Sequence, residues 1–504
     1  LTKKKGETVI TLFSAAITGV TAQPVTVEVC CHNGIPVDVV VGLPDAVIKE
    51  SRSRIRAAIR HAHYQYPTKV VTVNLAPAEL RKEGPFFDLP IALGILQASE
   101  QVPVSPGTMA VGELALSGEV RSVRGIVSVA LMAKQLGIST LILPVSNLAE
   151  AALVAGVGLV GVSHLKEAIG YLKGEWVPPA PPVVVPVHEE EGGDFCEIRG
   201  QWAGKRALEI AAAGGHNLLL VGPPGVGKTM LLKRLPGILP LMSDQEALES
   251  IQIQALHRAK PPRFTRSRPF RAPHHTISFA GLVGGGSMPV PGEISMAHHG
   301  VLFLDELPEF PRQILELLRQ PLEDQTISVN RASGSVVFPA DFMLVVAMNP
   351  CPCGHLGDGA VGCRCLPRDI RRYHARLSGP LLDRIDLMVP LSRPSGEEWH
   401  EVDTPQSPMG TMAIRQRVSV ARAQQAERGH LNARLPSRLL ALLPMSPEGK
   451  ALLTALIARG VLSGRRHDKL VRVSQTIADL SGAPMITDQH LGEALGYRWK
   501  GLDS

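Results

Sequence analysis

At 504 residues the chain is long for a single core, and two to four domains are expected. Hydrophobic residues at 45% and charged residues at 19% exclude a disordered chain, while a net charge of +6 over this length permits a polyanionic partner without requiring one. No apolar run reaches the ~18 residues that span a bilayer, and the basic start, Leu1 to Glu7, has no apolar segment behind it, so neither a membrane anchor nor a signal peptide is read. The chain opens on Leu1 and not on Met, so its true start is expected upstream. Seven cysteines in such a chain point to a reducing cytoplasm, where clustered thiols serve metals or catalysis more often than disulfides.

The first third alternates strands with helices. Val25–Val29 alternates in polarity, Pro36–Val41 is nearly continuous in apolar residues, and Val70–Asn74 and Thr140–Leu143 read as buried strands. Ala46–His63 carries apolar residues at helical spacing, with Arg52, Arg54, Arg56 and Arg60 between them. An α/β domain over residues 1–175 follows. Trp176–Pro186 is proline-rich and runs into the acidic stretch Val187–Gly193, so 176–193 reads as a semi-rigid extended linker.

Two passages of this domain resemble the peptidase domain of the Lon proteases: Glu83-Gly-Pro-Phe-Phe-Asp-Leu-Pro90, and Val111–Ile126 continuing to Thr140–Pro144. The resemblance implies a fold like the second domain of ribosomal protein S5, with a Ser–Lys dyad. Phe86 stands where that family carries its serine, and Val127 where it carries its lysine. Neither side chain can attack a carbonyl or hold a proton, so the fold is expected without the protease.

Residues 194–392 hold the strongest motif. The apolar run Asn217–Val221 leads into Gly222, Pro223, Pro224, Gly225, Val226, Gly227, Lys228 and Thr229, and a helical pattern follows. Strand, glycine loop and helix in that order make a P-loop. Its backbone N–H groups would cradle the phosphates of a nucleoside triphosphate, Lys228 would reach the β- and γ-phosphates, and the Thr229 hydroxyl would ligate Mg2+. The second half of the site is Gly300–Glu306, a buried strand ending in two carboxylates, with Asp305 for the Mg2+ shell and Glu306 to polarise the attacking water. A third apolar strand ends in Asn349, which either positions that water or merely turns the chain before Pro350. Arg384, bracketed by Asp383 and Asp386, is either a structural ion pair or an arginine finger offered to a neighbouring subunit.

The order of these motifs, with Arg268–Ser278, Pro291–Ser295 and Leu304–Phe310, resembles the YifB/ComM group of magnesium-chelatase-like AAA+ ATPases over nearly the whole chain. The resemblance implies an α/β P-loop core with magnesium-chelatase-type insertions and a helical lid over 393–504. It makes Asn349 the first sensor and Arg384 the finger. The second sensor falls on Arg465, with Arg472 as the fallback; Ser474-Gln475 depart from the Ala-Arg usual in that group, which leaves any further lid arginine open. Helical spacing over Ala413–Glu427, Pro436–Leu443, Glu448–Gly460 and Lys469–Leu480 agrees with such a lid, and Thr487 reads as the N-cap of a last helix.

Two insertions are candidates for nucleic acid. No carboxylate occurs between Glu249 and Glu293, and that interval holds Arg258, Lys260, Arg263, Arg266, Arg268 and Arg271 before a glycine-rich tip. Thr326–Phe338 reads as a hairpin around Arg331-Ala-Ser-Gly334. Arg263, Arg266 and Arg331 are the candidate DNA contacts, against a bland alternative in which the charges are a solvated face. In the loop 351–365, Cys351, Cys353, Cys363 and Cys365 form two Cys-x-Cys pairs nine residues apart, with His355 as a substitute ligand. They suit a structural Zn2+, although one intervening residue strains each pair; the alternative is a metal-free or redox-active loop.

The reading is therefore a cytoplasmic ATP-hydrolysing ring, expected to be a hexamer, that moves along single-stranded or branched DNA without reading its sequence. By resemblance it serves helicase or branch-migration activity in natural transformation. The alternative is a protein-remodelling ATPase with a protein partner.

Overall fold

The computed structural model describes residues 9–42, 46–80, 82, 84–183, 193–257, 264–286, 289–331, 334–400, 407–460 and 462–497. The chain divides into two compact units, residues 1–187 with 247–264, and residues 188–246 with 265–504.

The first unit is built on strands β1 (Val9–Thr18), β2 (Thr21–His32), β3 (Asp38–Val41), β4 (Val70–Ala76), β5 (Thr108–Ala110), β6 (Thr140–Pro144) and β7 (Gly158–Val162). They form one mixed sheet in the order β3-β4-β2-β1-β5-β6-β7. β1 and β2 are a hairpin in register from Val9↔Cys30 to Thr18↔Thr21, and β5, β6 and β7 run parallel. Alternation along β4, buried at Val71, Val73 and Leu75, turns one face inward, as its sequence period of two requires. Helices α1 (Ala46–His61), α2 (Asp88–Ala98) and α3 (Ile126–Gln135) supply the apolar layer, and α2 is buried over Asp88–Gln97. The core of this unit also takes in Ile251, Leu248 and Phe264 from the later stretch 247–264, where Gln252 donates a 3.1 Å hydrogen bond to the Ser128 hydroxyl.

The second unit contains, in chain order, α4 (Trp202–Gly214), β8 (Leu218–Val221), α5 (Lys228–Lys233), α6 (Asp244–Gln254), β9 (Phe270–Arg271), β10 (Val301–Leu304), α7 (Arg319–Asp324), β11 (Thr326–Arg331), β12 (Gly334–Pro339), β13 (Met343–Met348), α8 (Pro367–His374), β14 (Leu387–Pro390), α9 (Thr411–Glu427), α10 (Gly464–Ser481) and α11 (Asp488–Gly496). Residues 247–254 of α6 group with the first unit. The core sheet is all parallel, ordered β9-β10-β13-β8-β14. Every residue of β8, β10 and β13 is buried, which is why these segments read as continuous apolar runs and not as alternating ones. β11 and β12 form the hairpin expected from their pattern, paired from Thr326↔Pro339 to Arg331↔Gly334.

The C-terminal helices share one apolar cluster with α4 and the sheet: Ile414, Val418, Val471 and Ile477 join Leu208, Leu218 and Leu387. Thr487 caps α11 as expected, accepting from the His490 N–H while the His490 side chain accepts from Thr487 N–H. No helix among the described residues is long and apolar enough to cross a membrane.

Candidate nucleotide site and metal-binding loop

Parallel pairing decides where the motifs meet. Val221 is level with Met348, and Leu304 with Val346, so Gly222, Asn349 and Asp305 leave the sheet at the same carboxyl edge. That edge is where open α/β sheets bind ligands. The loop from Gly222 to Gly227 needs its glycines for different reasons. At Gly222 a Cβ would lie 2.7 Å from the Leu391 carbonyl oxygen, and at Gly227 the backbone has φ +89, which L-residues avoid.

Lys228 is buried and donates to the carbonyls of Gly222 (2.6 Å) and Pro223 (2.8 Å) and to Oδ1 of Asn349 (3.0 Å). Burial holds its ammonium below the usual lysine range, against the pull of Asp305 and Glu306. The Thr229 hydroxyl donates to Asp305 Oδ2 at 2.7 Å, and Asp305 Oδ1 accepts from the Glu306 N–H at 2.9 Å. A hydroxyl and a carboxylate so placed are the hard oxygen donors that Mg2+ prefers, and they fit it. Glu306 sits at φ 52, a left-handed conformation uncommon for its type, with its side chain 57% exposed. His275 Nδ1 lies 3.7 Å from its carboxylate, and the His275 ring stands edge-on to Phe310.

Arg384 is elsewhere. Leu387 pairs with Leu218 at the start of β8 and Pro390 with Val221 at its end, so β14 carries the chain roughly 10 Å along the sheet. Arg384 precedes β14 and therefore lies at the edge remote from Gly222. Its guanidinium pairs with Glu323 of α7 and donates to the Pro380 carbonyl at 2.5 Å, while Nε is buried with no hydrogen-bond partner among the described residues. Both alternatives for this residue thus have an observation: an ion pair within the chain, and a position away from its own P-loop. Asn217 fastens this edge, donating to the Arg384 carbonyl (2.8 Å) and accepting from Leu344 N–H (2.8 Å). Its own N–H donates to Asp386, whose carboxyl burial would raise but contact with His216 holds below the usual range.

Arg465 is exposed at the start of α10, and Arg472, seven residues on, donates through Nε to the Leu435 carbonyl at 3.0 Å. Ser474 and Gln475 are buried, and Gln475 donates to Asp479 at 2.8 Å, so they pack the lid. Gln201, at φ 56, escaped the sequence reading; it ties the phosphate loop to the chain after β14 by donating to the carbonyls of Val226 (3.2 Å) and Ser392 (2.7 Å). Glu323 lies outside every motif, and neither Asn217 in its apolar run nor His275 within Arg268–Ser278 carries a role readable from sequence, because their contacts with Arg384 and Glu306 come only from pairing across the fold.

The charge reading of the first insertion needs correction. The interval itself lacks carboxylates, but its flanks supply them. Arg266 pairs with Asp244, Arg268 with Glu246 (3.0 Å), and Arg271 with Glu293 (2.6 Å). Arg258, Lys260 and Arg263 lie outside the described residues. Arg331 ends β11, and its side chain lies outside them too.

In the cysteine loop, Sγ of Cys351 lies 3.4 Å from that of Cys353 and 3.7 Å from that of Cys363, and Cys353 to Cys363 is 3.6 Å. With Cys365 the four sulfurs all lie within 4.8 Å of one another, so one intervening residue does not keep either pair apart. His355 is turned away to Asp358 Oδ2 at 3.0 Å and is not part of the group. Backbone N–H groups of Arg364 and His355 pull the Cys353 thiol down to about 6, while burial pushes Cys351 up.

Phe86 and Val127, at the dyad positions, are both buried in the core of the first unit.

Comparison with known proteins agrees with this architecture. The family model for magnesium chelatase, subunit ChlI, matches residues 194–399, and models for the same subunit match 27–147 and, for its C-terminal part, 409–498. The chain is 44% identical over 492 residues to uncharacterized protein YifB of Escherichia coli, covering 97% of this chain and 96% of the relative. It is likewise 44% identical over 499 residues to competence protein ComM of Haemophilus influenzae, covering 97% of each. Lon protease 2 of Bacillus subtilis is similar over 183 residues at 30% identity, 31% of this chain and 33% of that protein. The chain belongs to the YifB/ComM group of magnesium-chelatase-like AAA+ proteins, with a Lon-like α/β unit, a P-loop core and a helical C-terminal region.

Proposed function

We propose that the protein is a cytoplasmic ATP-hydrolysing ring motor, a hexamer in its working form, that moves along DNA as a helicase or branch-migration factor on recombination intermediates in natural transformation. One observation carries the motor: a single chain holds Lys228, Thr229, Asp305 and Asn349 at one edge of the sheet and Arg384 at the other. A complete site then needs a second copy. Thr229 and Asp305 hold Mg2+, which when bound draws charge from the phosphate oxygens. Lys228 exchanges the Gly222 and Pro223 carbonyls for phosphate, Glu306 takes the proton side of the attacking water, Asn349 orients it, and Arg384 arrives from the neighbour. Arg465, or Arg472 behind it, closes the lid side. The thiol loop is structural and carries no step. The Lon-like unit is not a protease, since a hydroxyl and an amine are missing from Phe86 and Val127.

DNA as the track is supported by the competence role in the name of the Haemophilus relative and by the hairpin β11–β12 and the cations at 258–263. The test is strand displacement and branch migration with purified protein. Absence of ATP-dependent movement, with an ATPase that ignores DNA, removes this reading. A second reading, a protein-remodelling ATPase, is favoured by the pairing of Arg266, Arg268 and Arg271 within the fold, which leaves them less free for phosphate. Single-stranded DNA binding at two salt concentrations separates the two, because a phosphate grip weakens steeply with salt.

A further inference from the structure

We propose that Cys351, Cys353, Cys363 and Cys365 bind one zinc ion, and that this ion keeps the nucleotide site assembled by clamping the loop after Asn349 against the phosphate loop. The clamp rests on the ATPase reading above; the zinc site does not.

Four sulfurs around a zinc at ~2.3 Å form a tetrahedron with edges of about 3.8 Å. The separations among Cys351, Cys353 and Cys363, at 3.4, 3.6 and 3.7 Å, approach that edge, and all four sulfurs stay within 4.8 Å of one another. Disulfides need about 2.05 Å, and all four cysteines are free. The backbone prepares the sulfurs for negative charge: Cys353 N–H donates to Cys365 Sγ and Cys365 N–H to Cys363 Sγ, both at 3.4 Å. Without a cation, four converging thiolates repel one another, so the geometry asks for a soft divalent ion with no redox demand. Zinc meets that chemistry.

The same loop touches the ATP site. Gly354, at φ +84 in the turn closed by its N–H to the Cys351 carbonyl (2.9 Å), sits so close to the phosphate loop that a Cβ would lie 2.7 Å from Pro224 Cδ and 3.8 Å from Asn349 Cγ. Cys351 is buried two residues after Asn349, the residue that accepts from Lys228. Further along, Asp358 ties the loop to Arg393 just past β14 at 3.1 Å. Between these ties the loop walls a cavity of about 750 Å³ together with Gly222, Pro223 and Leu391. Releasing the metal frees the turn that backs Pro224 and Asn349, and both lose their fixed positions.

The experiment uses the full chain. Metal content is measured after purification under reducing conditions. The protein is then stripped with a chelator, titrated with Co2+, and read by its thiolate-to-cobalt absorption. Nucleotide binding and ATP turnover are followed in the loaded, stripped and Zn2+-restored protein. The expected result is one metal per chain, a four-thiolate cobalt spectrum that Cys353→Ser with Cys363→Ser abolishes, and a fall in kcat of about tenfold on stripping that Zn2+ reverses. Stripped wild-type protein covers the case in which the double variant does not fold. No metal and no cobalt–thiolate band overturns the site. Metal present, with unchanged binding and turnover after stripping, overturns the clamp. Lys228→Ala should keep its metal while losing nucleotide; if wild type carries metal yet binds no ATP, the ATPase reading fails and the zinc site stands.

Discussion

Lys228 donates a 3.0 Å hydrogen bond to Oδ1 of Asn349, joining the phosphate loop to the end of a strand 121 residues later. The two residues should nevertheless separate kinetically. Lys228→Ala removes a charge aimed at phosphate and is expected to weaken nucleotide binding by more than about tenfold. Asn349→Ala should bind within about twofold of wild type and lose about 10²–10³ in kcat, because it acts on the water and not on the phosphates. Equilibrium titration with a fluorescent nucleotide, set beside steady-state turnover, checks both. Equal loss of binding in the two variants would mean that Asn349 only supports the loop.

Glu306 has an exposed side chain, with His275 3.7 Å away. Glu306→Gln keeps the Thr229–Asp305 pair intact, so ATP binding should persist while turnover falls by about 10²–10⁴, the range of a lost general base. Bound but uncleaved nucleotide, recovered by rapid gel filtration, is the readout. Turnover near wild type would move the base elsewhere.

Arg384 is held by Glu323 in the single chain. If it serves a neighbour, Arg384→Ala leaves nucleotide binding near normal and lowers kcat by about 10³–10⁵. Mixing Arg384→Ala with Lys228→Ala protein should then restore part of the activity. One of the two mixed junctions has Lys228 on one side and Arg384 on the other. Loss of ATP binding by an Arg384→Ala monomer would show the residue to be structural.

Asp88 gives a pH dependence with a definite sign. Burial pushes its carboxyl up to about 6, against the hydrogen bond and charge of Arg54, whose Nε lies 3.0 Å away. The folded-state value lies above the ~3.9 of an unfolded chain, so the folded state holds the proton longer. Its stabilisation is full below about pH 4 and is lost as pH rises to about 6, by roughly 2–3 kcal/mol. Asp88→Asn should flatten that fall. Denaturant unfolding of wild type and variant at about pH 4 and about pH 7 tests it; parallel pH trends would refute the assignment.

Much of this protein is legible from local sequence. Continuous apolar runs announce the buried parallel strands β8, β10 and β13, and the Gly-Lys-Thr loop between strand and helix announces the phosphate site, because those patterns answer to backbone geometry within a few residues. Alternation around Arg331–Gly334 likewise gave the β11–β12 hairpin, and Thr487 its cap. Contacts between distant segments were another matter. Six cations without an intervening carboxylate looked like a free basic surface, yet Asp244, Glu246 and Glu293 neutralise three of them, since ion pairing follows distance in space and not along the chain. The pairing of Arg384 with Glu323, the grouping of 247–264 with the first unit, and the convergence of four sulfurs across nine intervening residues were decided by the tertiary structure alone. Sequence spacing sets which groups exist; only the packed fold sets the distances on which charge pairing and metal coordination depend.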